Sequence, residues 1–110
     1  MSPTQRTIAE CKRRGWICQV VEKWNPHARI RQDLFGCIDI VALTDAGILG
    51  IQACAGASHA ARAAKMRAEP KTLAWRKAGG VLEVWSWAKR GPRGERKVWT
   101  LRTESICESA

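Results

Sequence analysis

Gly36-Cys37-Ile38-Asp39-Ile40-Val41-Ala42-Leu43-Thr44-Asp45-Ala46-Gly47-Ile48-Leu49-Gly50-Ile51-Gln52-Ala53-Cys54 is the stretch that decides how this chain folds. Two apolar runs, Cys37–Leu43 and Ile48–Cys54, flank Thr44-Asp45-Ala46-Gly47, which reads as the tip of a β-hairpin. Asp39 sits inside the first run, where a carboxylate is costly unless something pairs with it. A tip symmetric about Asp45-Ala46 sets Asp39 directly opposite Gln52, with Cβ atoms about 4.5–5.5 Å apart. Strand alternation then puts Cys54 on the face of Gln52. The few polar groups of an otherwise apolar hairpin converge on one spot. Two readings of that spot are open at this point: a buried Asp–Gln hydrogen bond with no further role, or a site.

On the N-terminal side, Ser2-Pro3-Thr4-Gln5 predicts a capped helix start, and Gly15 suits its end. Trp16–Trp24 reads as a strand stopped by Asn25-Pro26, and Pro26–Leu34 as a basic loop. On the C-terminal side, Ser58–Ala68 is alanine-rich and helical, and Pro70 opens a second helical piece that runs to Gly79-Gly80. A strand over Val81–Ala88, a basic turn over Lys89–Lys97 and a strand over Val98–Arg102 follow, with fraying expected beyond. The order is helix, three strands, helix, two strands. It predicts one α/β (α+β) domain over residues 1–110, with a central mixed sheet flanked by helices.

Within the alanine-rich helix, Ser58, Arg62, Lys65 and Glu69 share one face. Ala60, Ala61, Ala64 and Ala68 form a neighbouring small-residue face expected to lie on the sheet. The polar stripe would then edge the pocket beside Asp39. Ser58 could cap the helix and help its free N–H groups hold a phosphate; an ordinary solvated stripe is the alternative.

Lysine and arginine number 19 against 10 aspartates and glutamates, a formal net charge of +9, and residues 56–110 hold twelve of the basic residues. Such a balance points to a polyanionic partner. An apolar fraction of 45% suits a globular protein. No apolar run approaches the ~20 residues that span a bilayer, and Met1–Arg14 lacks a signal-peptide core, so a soluble, intracellular protein is expected. Five cysteines, none spaced as CxxC, read as reduced thiols rather than a structural zinc site. Of six tryptophans, Trp85 and Trp87 share one strand face and read as core. His27 and His59 have no evident partner.

Gly36-Cys37-Ile38-Asp39-Ile40, the acidic turn and Ile51-Gln52-Ala53-Cys54 together resemble the PD-(D/E)xK nuclease signature: G-x-P-D, a hairpin, hydrophobic-E-x-K, then a helix. Within that superfamily the chain looks most like Holliday-junction resolvases and the virus-type replication-repair nuclease domains of phages and bacteria. The order of elements fits over residues 4–102. The resemblance implies a restriction-endonuclease-like core. It also implies a Mg2+- or Mn2+-dependent endonuclease that hydrolyses phosphodiester bonds of branched or structured DNA. By the same analogy the protein is a homodimer, cytoplasmic, and nucleoid-associated or phage-encoded.

Carried over by position, the family aspartate falls on Asp39, the glutamate on Gln52 and the lysine on Cys54. Glu10 in the first helix matches a further acid. The implied metal ligands are Glu10, Asp39 and Gln52, the last through a neutral carbonyl that still suits a hard cation. Lys65 is the candidate for a lysine that has migrated from position 54. The implied catalytic set is Asp39, Gln52, Lys65 and Glu10. Phosphate contacts fall on Lys12, Arg13, Arg14, Arg29, Arg31, Ser58, Arg62, Arg90, Arg93, Arg96 and Lys97. Two other classes stay open. One is a catalytically degenerate nucleic-acid-binding protein on the same scaffold, eroded at Gln52 and Cys54. The other is a basic binder of protein or RNA with a different fold, for which Glu10, Asp39 and Gln52 would not converge.

Overall fold

A computed structural model describes residues 1–107. Helix α1 (Pro3–Arg13) begins as the sequence predicts: the Ser2 side chain accepts from the Gln5 N–H while the Gln5 side chain accepts from the Ser2 N–H. Strand β1 (Ile17–Val20) follows, then β2 (Lys23–Asn25) and β3 (Ile30–Gln32), β4 (Ile40–Thr44) and β5 (Gly47–Ala55). A 3-10 turn, Gly56–Ser58, leads into α2 (His59–Ala68) and α3 (Pro70–Lys77), and β6 (Val81–Arg90) and β7 (Val98–Ser105) close the chain.

Five strands form one mixed sheet in the order β1-β4-β5-β6-β7. All neighbours are antiparallel except β5 and β6. A parallel pair needs a crossover, and α2 and α3 supply it. The β4–β5 register is the one expected from the turn, with Ile40 opposite Ile51 and the Asp39 N–H donating to the Ile51 carbonyl. Ahead of β4, Gly36 takes a left-handed φ of 77°, and a Cβ there would stand 3.2 Å from a Glu69 carboxylate oxygen. This tight turn delivers Asp39 to the strand.

Each face of the sheet carries its own core. Cys11, Ile40, Ala42, Leu49, Ile51 and Trp85 bury against α1. Cys37, Ile38, Cys54, Ala63, Met66, Leu82, Val84 and Ile106 bury against the α2–α3 side. Trp85 is fully buried, 6.2 Å from Trp16 between ring centroids, and the half-buried Trp87 donates from Nε1 to Thr7 Oγ1 of α1. No helix among the described residues is long and apolar enough to cross a membrane.

The structure departs from the sequence reading in four places. The segment read as a strand followed by a loop breaks after Val20, and residues 23–32 form a separate two-stranded hairpin, β2–β3. The sheet-facing side of α2 is His59, Ala63 and Met66, while Ala60, Ala61, Ala64 and Ala68 are exposed. An alanine-rich helix has too little apolar contrast to announce its face. Strand β7 runs to Ser105 with Ile106 buried behind it, so fraying does not begin at Thr103; residues 108–110 lie outside the described residues. His59 is fully partnered: its Nδ1 lies 2.6 Å from Ser86 Oγ and its Nε2 2.8 Å from Glu104 Oε1, and Arg67 holds the other Glu104 oxygen. His59 and Ser86 are 1% and 2% exposed. The serine is closed to any substrate, and the chain of bonds fastens the start of α2 to the sheet.

Candidate functional site

Asp39 and Gln52 meet as the hairpin register requires. Gln52 Nε2 donates to Asp39 Oδ2 at 2.7 Å, and the Ala53 N–H donates to the same oxygen at 3.1 Å. Both residues are buried, at 4% and 2% exposure, yet Asp39 Oδ1 and Gln52 Oε1 have no hydrogen-bond partner. Buried polar atoms are nearly always paired, so these two oxygens are open acceptors at the site.

Two further carboxylates reach the same place. Glu22 and Asp33 each bring an oxygen within 4.8 Å of the others and of Asp39. They stand immediately before β2 and immediately after β3, so the small hairpin pinches them together at its neck. Arg31 Nη1 lies 3.0 Å from Glu22, and Lys65 Nζ lies 3.7 Å from Asp33. Burial pushes the Asp39 carboxyl up to about 8, with the nearby Asp33 and Glu22 adding to the rise and the Ala53 N–H opposing it. Three acids, the Gln52 carbonyl and no sulfur ligand make an oxygen set suited to a hard divalent cation.

An open cavity of about 430 Å³ surrounds these groups. Asp39, Gln52 and Cys54 line it from the sheet, Ser58, Arg62 and Lys65 from the crossover, and Arg31 from β3. Three of the four stripe residues therefore border the site, Glu69 excepted, although the alanine face expected to bring them there is exposed, and Ser58 makes no side-chain cap bond to the helix. Cys54 is 6% exposed, and burial raises its thiol, ahead of the lowering influence of Arg62. It stays protonated at neutral pH and supplies neither a charge nor a thiolate.

Glu10 does not join Asp39 and Gln52. Its carboxylate is taken by Arg13 and Arg14 on its own helix, chiefly Arg13, which hold it down to about 2. Pro3 and Thr4 are the α1 residues at the cavity. Lys12, Arg13 and Arg14 lie at the far end of that helix, roughly 13 Å along its axis, and Arg14 stacks over Trp16 and Trp85. Arg29 is exposed at the tip of the β2–β3 hairpin. Arg90 at the end of β6, and Arg93, Arg96 and Lys97 in the β6–β7 connection, are exposed. Since β5 and β6 run parallel and Ala55 is level with Trp87, that connection extends past the same sheet end as the cavity.

Glu22 and Asp33 are the site acids that the sequence-read ligand set, Glu10, Asp39 and Gln52, did not contain. Their signal is faint but physical: Glu22 and Asp33 bracket ten residues, 23–32, that hold three basic groups and no acid. No protein-family model, curated protein or solved structure matches this chain, so the site stands on its own geometry.

Proposed function

We propose that the protein is a metal-dependent nuclease that hydrolyses phosphodiester bonds of DNA on a restriction-endonuclease-like core. The observation that carries this reading is the buried Asp39, one oxygen unpartnered, gathered with Glu22 and Asp33 in a cavity walled by Arg31, Arg62 and Lys65. A helix, an antiparallel three-strand unit (β1, β4, β5), crossover helices and a parallel strand support the fold assignment. Branched or structured DNA as substrate, and a homodimer as the working form, rest on the sequence resemblance.

Glu22, Asp33 and Asp39 would hold Mg2+ or Mn2+, with the Gln52 carbonyl as a neutral donor. The bound ion would polarise the phosphate and lower the pKa of a water. Arg62 and Lys65 sit where they can take phosphate oxygens, and Lys65 offers the charge that Cys54 lacks. Glu22 replaces Glu10 as the acid from outside the hairpin.

The test is cleavage of linear duplex, single-stranded and four-way-branched DNA with Mg2+ or Mn2+. The expected result is metal-dependent cutting that Asp39→Asn abolishes and Lys65→Ala lowers on the order of 100-fold. A second reading, a non-catalytic nucleic-acid binder, is favoured by the Gln52–Asp39 hydrogen bond and by a carboxyl protonated near neutral pH. Binding without cutting under every metal and DNA form would establish it over the first.

A further inference from the structure

The β2–β3 hairpin stands apart from the main sheet as its own two-stranded unit. Isolated hairpins of this size are marginal on their own, but this one is well braced. Asn25 Oδ1 accepts from the N–H groups of His27 and Ala28, and Arg29 takes the left-handed φ of 54° that closes the tip. Its root is the carboxylate pair Glu22 and Asp33. Between those acids the arm carries Lys23, Arg29 and Arg31 and no negative charge.

Trp24 is 60% exposed on this arm. It pairs directly with Arg31 across the two strands, and opposed residues share a face. Arg31 lines the cavity and binds Glu22. The indole therefore lies on the cavity side of the arm. Two residues of extended chain, about 7 Å, separate it from Glu22. A largely exposed flat ring opposite Arg31, on an arm whose root opens on a cavity lined by Arg31, Arg62 and Lys65, matches a nucleobase on its backbone.

We infer that the β2–β3 hairpin is a strand-reading arm: Trp24 stacks on an unpaired base one or two nucleotides from the phosphate that Arg62 and Lys65 would take. This rests on the nuclease reading for the identity of the site, and it narrows the substrate to DNA with unpaired bases beside the scissile bond. A base inside a continuous duplex presents no free face to the ring. Arg31 has a double part, neutralising Glu22 and flanking the stacked nucleotide.

The experiment is equilibrium binding of a fluorescein-labelled 20-mer of oligothymidylate, and of a 20-base-pair duplex, in the presence of EDTA so that cleavage plays no part. Trp24→Ala is expected to weaken oligothymidylate binding about tenfold, the scale of one lost base–aromatic stack. Duplex binding should change less than twofold, and Trp24→Phe should keep most of the single-strand affinity. Unchanged single-strand affinity in Trp24→Ala, or an equal loss on duplex, overturns the proposal. Because the indole is largely solvated, the variant should melt with the wild type. The arm and the chemistry fail separately. A Trp24 effect without metal-dependent cutting sinks only the nuclease, and cutting with no Trp24 effect sinks only the arm.

Discussion

Asp39 takes up a proton on folding. Its ordinary value of 3.8 rises to about 8 through burial first and the neighbouring Asp33 second. The folded state thus binds more protons than the unfolded one across that interval, and stability must fall as pH rises from about 4 to about 8. Asp39→Asn keeps a hydrogen-bonding amide opposite Gln52 without the charge. At pH 8 it should be clearly more stable than the wild type, and at pH 4 nearly equal. Denaturant titrations at the two pH values measure this, and equal stability at pH 8 would mean that the ionised carboxylate is already compensated. The Asp39–Gln52 pair was legible in the sequence because turn chemistry and two-residue alternation are both local. His59 was not, since its partners Ser86 and Glu104 lie 27 and 45 residues away.

At the scale of elements, the site's third and fourth oxygens come from a hairpin neck rather than from a helix. The resemblance to the nuclease signature implied an acid on the helix, Glu10, but Arg13 and Arg14, one turn further along, capture that carboxylate before it can turn inward. Glu10→Gln should therefore leave metal-dependent cleavage within about twofold and cost under ~1 kcal/mol of stability, as exposed helical pairs do. Glu22→Gln should lower cleavage on the order of 100-fold. Rates of the two variants side by side decide the matter, and the reverse pattern would return the acid's role to α1. The β2–β3 arm escaped sequence reading because all but one of residues 23–32 are exposed, so no core-facing alternation marks them as strand. Alanines on every side of α2 hid its packed face for a related reason: periodicity reports burial only where apolar and polar residues contrast.

Over the whole molecule, the +9 charge is placed with a direction. Arg90, Arg93, Arg96 and Lys97 extend beyond the sheet end where the cavity opens, whereas Lys12, Arg13 and Arg14 sit at the other end of α1. Replacing Arg90, Arg93, Arg96 and Lys97 with alanine should reduce the slope of log affinity against log salt by up to about 3.6, near 0.9 for each duplex phosphate that is no longer neutralised. A titration of binding between low and moderate salt reads it, and an unchanged slope would take the connection off the DNA. The neck of the β2–β3 hairpin has one more consequence. Glu22 and Asp33 are the two ends of a short closed loop, and lengthening such a loop is cheap: doubling it costs only about 0.6 kcal/mol of closure entropy. The tip can thus be extended, shortened or exchanged while its two roots stay where they are. In this chain the part that would choose a substrate is a graftable module, and the part that would act on it is the rigid socket into which the module plugs.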